Sequence, residues 1–183
     1  MLEAAGLAVE VAVPHVDEAE IRDAMIAASA DAGAIADVLA ERKAAYVSRQ
    51  RPNSLVIGAD QVLVCDGRIY AKPAGREAAW QQLAELRGRE HELLSCVCVV
   101  RGGERLWHRQ DRARLTMRPF SDAFVEAYLD AVGDAALGGP GAYRVEGLGA
   151  QLFARISGDH FTILGLPLLP LLDYLRVQGI LRS

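Results

Sequence analysis

The hydrophobic and polar positions of this chain switch repeatedly between a helical and a strand-like period, and each switch marks an element. Leu2-Glu3-Ala4-Ala5 is helix-forming, Gly6 stands where a helix C′ residue would, and Leu7–Val13 then reads as a strand. After Pro14, Asp17 with Glu20 three residues on forms a capping-box arrangement that opens a helix. Beyond Gly33, Ile35, Val38, Leu39 and the Ala44/Ala45 pair recur at helical spacing and predict a second helix ending near Arg51-Pro52. Leu55–Ile57 is wholly apolar, which suits a strand buried on both faces, and it puts Asp60 at the strand's C-terminal end, before a turn.

A hairpin-like segment follows: Val62–Cys65, the tight-turn pair Asp66-Gly67, and a return ending at Lys72-Pro73. Arg76–Arg87 is an amphipathic helix closed by Gly88, and Leu93–Val100 and Arg105–Met117 are strands joined at Gly102-Gly103. Ser121 caps a helix with Phe124, Val125, Tyr128 and Leu129 on one face. A glycine-rich stretch, Gly138–Gly149, leads to a strand at Gln151–Ile156 and a closing helix at Phe161–Arg176. Strands alternating with helices, one hairpin, and no repeat or linker predict a single α/β domain over residues 1–183, with a mixed central β-sheet flanked by helices.

Composition narrows the partners. With 51% apolar and 24% charged residues the chain can fill a core, which argues against disorder. A formal charge of −4 gives no overall positive field to draw in nucleic acid or an anionic membrane, although a few local cations would suffice for phosphates. The longest apolar stretch, Phe161–Leu172, holds two prolines and is too short to span a bilayer; Met1–Gly6 has no basic flank of a signal sequence. Cys65, Cys96 and Cys98 fit the cytosol. Cys96 and Cys98 share a strand face, but a lone C-x-C is a weak zinc signal and reads better as small buried residues.

Asp60 is the first candidate for chemistry, because ligand crevices in open α/β sheets form at the carboxyl ends of strands and a carboxylate there can hold Mg²⁺ or orient a water. An isolated Gly-x-Asp is otherwise a solvated turn acid. Lys72 adds a cation on the same short connection, held extended by Pro73, a pairing that suits polyphosphate plus metal. Asp17, Glu18, Glu41 and Lys43 read from spacing alone as a wet helix face. In Gly141–Gly149, Glu146 could face the donor edge of a guanine or be an incidental acid of a flexible connection. His15, His91, His108 and His160 are scattered without metal-ligand spacing, and there is no G-x-S-x-G elbow, Walker A loop or G-x-G-x-x-G.

Taken in order, Val16-Asp17-Glu18, Ala40-Glu41-Arg42-Lys43-Ala44, Ile57-Gly58-Ala59-Asp60-Gln61-Val62, Lys72-Pro73, Leu86–His91, Met117-Arg118-Pro119-Phe120-Ser121, Gly141-Ala142-Tyr143, Glu146-Gly147 and Ile163–Leu168 resemble the Maf family of nucleotide pyrophosphatases over nearly the whole chain. The resemblance implies a homodimeric, two-lobed cytoplasmic α/β enzyme that cleaves a nucleoside triphosphate to the monophosphate and pyrophosphate with Mg²⁺ or Mn²⁺. The family's catalytic aspartate falls on Asp60 and its lysines on Lys43 and Lys72. Its acidic residue falls on Glu18, which with Asp60 would hold the metal; Gln61, Arg118 and Glu146 would contact substrate. Asp60-Gln61 together with Glu146 resembles the branch acting on 7-methyl-GTP rather than on dTTP and UTP. A catalytically weak relative that binds nucleotide or regulates cell division is the alternative. Family members open with a strand and an arginine-flanked Ser-x-Ser loop that cradles the triphosphate. The chain's start after that loop predicts an internal Met1 or a truncation, and weaker activity than a version extended upstream.

Overall fold

A computed structural model describes residues 1–182. The strands are Val56–Cys65 (β1), Arg68–Tyr70 (β2), Glu90–Arg101 (β3), Glu104–Met117 (β4) and Phe153–Ser157 (β5), in the sheet order β2-β1-β3-β4-β5. The helices are Glu18–Ala27 (α1), Ala32–Gln50 (α2), Arg76–Leu86 (α3), Asp122–Val132 (α4), His160–Ile163 (α5) and Leu168–Val177 (α6). The architecture is the expected α/β one, a central sheet flanked by helices. The chain divides into two compact units, one of residues 1–61, 95–111 and 160–183, the other of 62–94 and 112–159.

In the first unit, Val97 and Val99 of β3 pack with Leu166, Leu168, Leu171 and Leu175 and with Leu7, while Leu55, Ile57 and Trp107 border the same cluster. Leu168, Leu171 and Leu175 recur at three- and four-residue intervals, so one face of α6 is buried. In the second unit, Ala79, Leu83 and Leu86 bury one face of α3 at the same spacing, and α3 packs against α4, whose Val125, Tyr128 and Leu129 are buried. β2 pairs antiparallel with the end of β1 (Leu63 opposite Tyr70, Cys65 opposite Arg68) and β5 with the end of β4 (Leu115 opposite Ile156).

Several caps follow the sequence reading. Oδ1 of Asp17 accepts from the Glu20 N–H at 2.9 Å and Ser121 Oγ from the Phe124 N–H at 3.2 Å, while Gly6 closes a short 3₁₀ turn at Glu3–Ala5 in the left-handed region. The Asp66-Gly67 turn has φ of 49° and 79°, as a two-residue hairpin with right-handed strand twist requires.

Four expectations need correction. Leu7–Val13 forms no strand: Leu7 is buried, but Val11 and Val13 are exposed, and residues 8–12 line a groove of about 470 Å³ whose other wall is Ser54–Ala59. Apolar runs become strands only when a neighbouring backbone is within ladder reach, and here the groove separates them. For the same reason Leu55–Ile57 is half-buried, since β2 covers only the end of β1; the strand with a long buried run is β3, from Leu93 to Val100. Leu55–Ile57 and Val62–Cys65 are also parts of one strand, which places Asp60 in mid-strand rather than at an end. The closing helix is two, because Gly165 takes φ of 95° and Pro167 follows, breaking the ladder between α5 and α6.

Candidate functional site

The first unit assembles three of the predicted residues from three elements. Gly58 and Asp60 are two apart in β1 and so share a strand face. That face meets α2 at close quarters: a Cβ on Gly58 would lie 2.4 Å from the Ala40 carbonyl oxygen and 2.7 Å from the Ala44 Cβ. Ala40, Lys43 and Ala44 occupy one side of α2 at spacings of three and four. With glycine on the strand and two alanines on the helix, the backbones close up. Lys43 is carried to Asp60, with Nζ 2.5 Å from Oδ1.

Glu18 reaches the same ammonium from the first residue of α1, a helix that packs on α2, with Oε1 2.9 Å from Nζ. The Asp17 cap fixes the turn that presents it. Asp60 is only 10% exposed and Lys43 17%, whereas Glu18 at 40% faces solvent. Burial by itself pushes the Lys43 ammonium towards losing its proton. The Asp60 and Glu18 carboxylates outweigh that, and the pKa is raised. One ammonium between two carboxylates leaves the cluster net negative, a locus of oxygen donors suited to a hard cation.

Gln61, next to Asp60, points to the opposite face. Its Nε2 donates to Ser95 Oγ at 2.9 Å and to the Thr162 and Ile163 carbonyls at 3.0 and 3.1 Å. Ser95 Oγ also donates to Thr162 O at 2.7 Å, so Gln61 and Ser95 together tie α5 to the strands.

The remaining predicted residues lie in the second unit. Lys72 follows β2 and is exposed, with buried Pro73 behind it. The Arg118 Nε donates to the Gln151 carbonyl at 2.6 Å, and its guanidinium lies 4.4 Å over the Phe124 ring, which fixes the plane of the side chain. Glu146 is half-exposed, 3.4 Å from Arg144, beside a hollow of about 170 Å³ that Tyr128, Val132 and Gly149 also line.

Sequence reasoning missed a second cluster in the first unit. Asp37 of α2 accepts from Cys96 Sγ at 3.1 Å and from Arg105 Nη1 at 2.8 Å, and its Oδ1 stands 3.1 Å from His108 Nδ1. Arg105 also pairs with Glu41 at 2.8 Å, so Glu41, still half-exposed, borders this cluster. Asp37 and Glu41 have helical i, i+4 spacing, but nothing in the sequence links them to β3 and β4. The scattered histidines gave no hint of it. Cys65, Cys96 and Cys98 are buried free thiols, as expected of small core residues.

Among the described residues no helix is long and apolar enough to cross a membrane. Comparison with known proteins gives a match of residues 1–178 to the family described as Maf-like protein. A protein of Paramagnetospirillum magneticum named nucleoside triphosphate pyrophosphatase is 50% identical over 179 residues, covering 98% of this chain and 92% of its own. Proteins of the same name from Rhodopseudomonas palustris (51% identical, 99% of this chain and 89% of theirs) and Rhodospirillum rubrum (48%, 100% and 91%) are similarly related.

Proposed function

This chain belongs to the Maf-like family, and on that premise we propose that it is a nucleoside triphosphate pyrophosphatase whose substrate carries a guanine, 7-methyl-GTP foremost. The observation that carries the reading is the half-buried Lys43 ammonium shared by Asp60 and Glu18. Water attacks the α-phosphorus, the α–β anhydride bond breaks, and nucleoside monophosphate and pyrophosphate leave. Such a displacement is accelerated chiefly by charge stabilisation and positioning.

Asp60 and Glu18 offer carboxylate oxygens, the donors Mg²⁺ and Mn²⁺ prefer, and an excess of negative charge to hold a divalent ion. Bound there, such an ion would neutralise phosphate charge and acidify a bound water. Asp60, the more enclosed of the two acids, orients the attacking water. Lys43 remains charged at neutral pH because its carboxylate neighbours hold the proton on it, and it stabilises the charge that builds on the phosphates. Lys72, exposed on the second unit, offers a cation for phosphate. The Arg118 guanidinium, set by Phe124 and the Gln151 carbonyl, contacts the nucleotide.

For the base, the exposed Glu146 carboxylate can accept from the N1–H and N2 amino group of a guanine, an edge that uracil and thymine lack. Gln61 would meet substrate through its carboxamide oxygen, since its nitrogen is committed to Ser95 and α5. Pyrophosphate release should be measured with 7-methyl-GTP, GTP, dTTP and UTP in Mg²⁺ and in Mn²⁺, for wild type and Glu146→Gln. Guanine nucleotides should lead, with the preference shrinking in Glu146→Gln. Faster turnover of UTP than of any guanine nucleotide refutes the substrate assignment, and no pyrophosphate from any of the four refutes the activity.

A further inference from the structure

We propose that Asp37, Cys96 and His108 form a second metal site, for a borderline-soft transition ion of the Zn²⁺ type, on the first unit and separate from the Asp60 cluster. Carboxylate oxygen, thiol sulfur and imidazole nitrogen from α2, β3 and β4 converge so that all three ligand atoms lie within 4.8 Å of one another. Asp37 Oδ1 is 3.1 Å from both Cys96 Sγ and His108 Nδ1. Tetrahedral zinc with bonds of about 2.0–2.3 Å separates its ligand atoms by roughly 3.3–3.7 Å. The two separations from Asp37 Oδ1 therefore need only open by a few tenths of an ångström, and the Cys96–His108 separation, within 4.8 Å, has to come into the same range, leaving a fourth position for water.

The surroundings favour this over a plain hydrogen-bond cluster. Arg105 grips the other oxygen of Asp37 at 2.8 Å and is itself held by Glu41 at 2.8 Å, so the carboxylate is fixed with Oδ1 turned towards the sulfur and the imidazole. Outer hydrogen bonds of that kind orient ligating carboxylates in metal sites. With Cys96 as thiolate and His108 neutral, Zn²⁺ and Arg105 balance the charges of Asp37, Glu41 and Cys96. His108 is half-exposed and gives the ion a way in, while Cys96 is fully buried and shielded from oxidants.

The soft sulfur and nitrogen donors exclude Mg²⁺, which separates this site from the all-oxygen Asp60 and Glu18 pair. Binding displaces the Cys96 thiol proton to solvent, so affinity rises with pH. The other titratable groups facing the site are Asp37 and Glu41 from α2, Cys98 from β3, and Arg105 and His108 from β4. An ion here would clamp α2, the helix that carries Lys43, onto β3 and β4.

The test is titration of the full chain with Co²⁺, read by the thiolate-to-cobalt charge-transfer band, with Zn²⁺ as competitor and the melting temperature as second readout. One Co²⁺ per chain should give the band, Zn²⁺ should displace it, and Zn²⁺ should raise Tm by several degrees. His108→Ala, a half-exposed position where folding is not at risk, should weaken binding at least ~10-fold, and Cys96→Ser should remove the band. Asp60→Asn should leave band and Tm shift intact. No sulfur band in folded wild type, a band that persists in Cys96→Ser, or Co²⁺ binding lost only in Asp60→Asn each overturns the proposal. The last of these would leave the Asp60 reading standing.

Discussion

Lys43 meets Asp60 at 2.5 Å because Gly58, two residues earlier on the same face of β1, has no side chain to hold α2 away. The Lys43–Asp60 geometry is thus a consequence of small residues at one helix–strand contact. That relationship makes the charged residues and the uncharged ones testable separately.

Asp60→Asn should reduce pyrophosphate release at least ~10²-fold while leaving the melting temperature within a few degrees of wild type. The change is nearly isosteric and still offers an oxygen to Lys43. Wild-type turnover in a folded variant would remove Asp60 from the site.

Lys43→Met keeps most of the side-chain volume and removes the ammonium. The ion pairs of Lys43 with Asp60 and with Glu18 are then both lost, so stability falls and divalent ions should bind the apo-protein more tightly, an effect calorimetry reads directly. Turnover should still drop about 10²–10³-fold, because the charge opposite the phosphates is gone. Turnover near that of wild type would show that Lys43 only neutralises the acids.

Gly58→Ala adds one methyl at 2.4 Å from the Ala40 carbonyl oxygen, a backbone atom that cannot turn aside. We expect a loss of about 1–3 kcal/mol in denaturant unfolding, as overpacking typically gives. Activity should fall as α2 shifts and withdraws Lys43. Gly67→Ala, with open space around the added methyl, is not equivalent, since its φ of 79° strains the turn and not the site; it should cost stability with little loss of turnover per folded molecule.

His91 makes stability depend on pH. It is buried in the second unit, its Nε2 lies 2.7 Å from the Tyr143 hydroxyl, and its Nδ1 has no partner among the described residues. Burial pushes its pKa from 6.5 down to about 4. The unfolded chain therefore takes up a proton near pH 6.5 that the folded chain refuses until about 4. The stabilisation is complete above pH 6.5 and fades as pH falls towards 4, by roughly 3 kcal/mol at about 1.4 kcal/mol per unit. Urea unfolding of wild type and His91→Phe from pH 7.5 to 4.5 checks it: the difference in pH slope between them should amount to this fall, and parallel curves would contradict it.

The sequence by itself determined many of the local elements and supplied the candidates for chemistry. Asp17 with Glu20 announces α1, Asp66-Gly67 a tight hairpin, and the amphipathic run Arg76–Arg87 before Gly88 announces α3, because capping, turn geometry and helical period are settled among residues a few places apart. Asp60 stands out by its place after an apolar run, and Lys43 and Glu18 only through the order of motifs. That they share one ammonium was decided by tertiary structure, through the contact of Gly58 with Ala40 and Ala44. Leu7–Val13 carried a strand-like run and formed no strand, since pairing depends on what backbone lies alongside. Asp37, Cys96 and His108 stand far apart along the chain and meet only because α2, β3 and β4 are packed together. Hydrogen bonds within a turn are written in neighbouring residues; ligand sets and salt bridges across elements come from packing, which brings together side chains that no spacing relates.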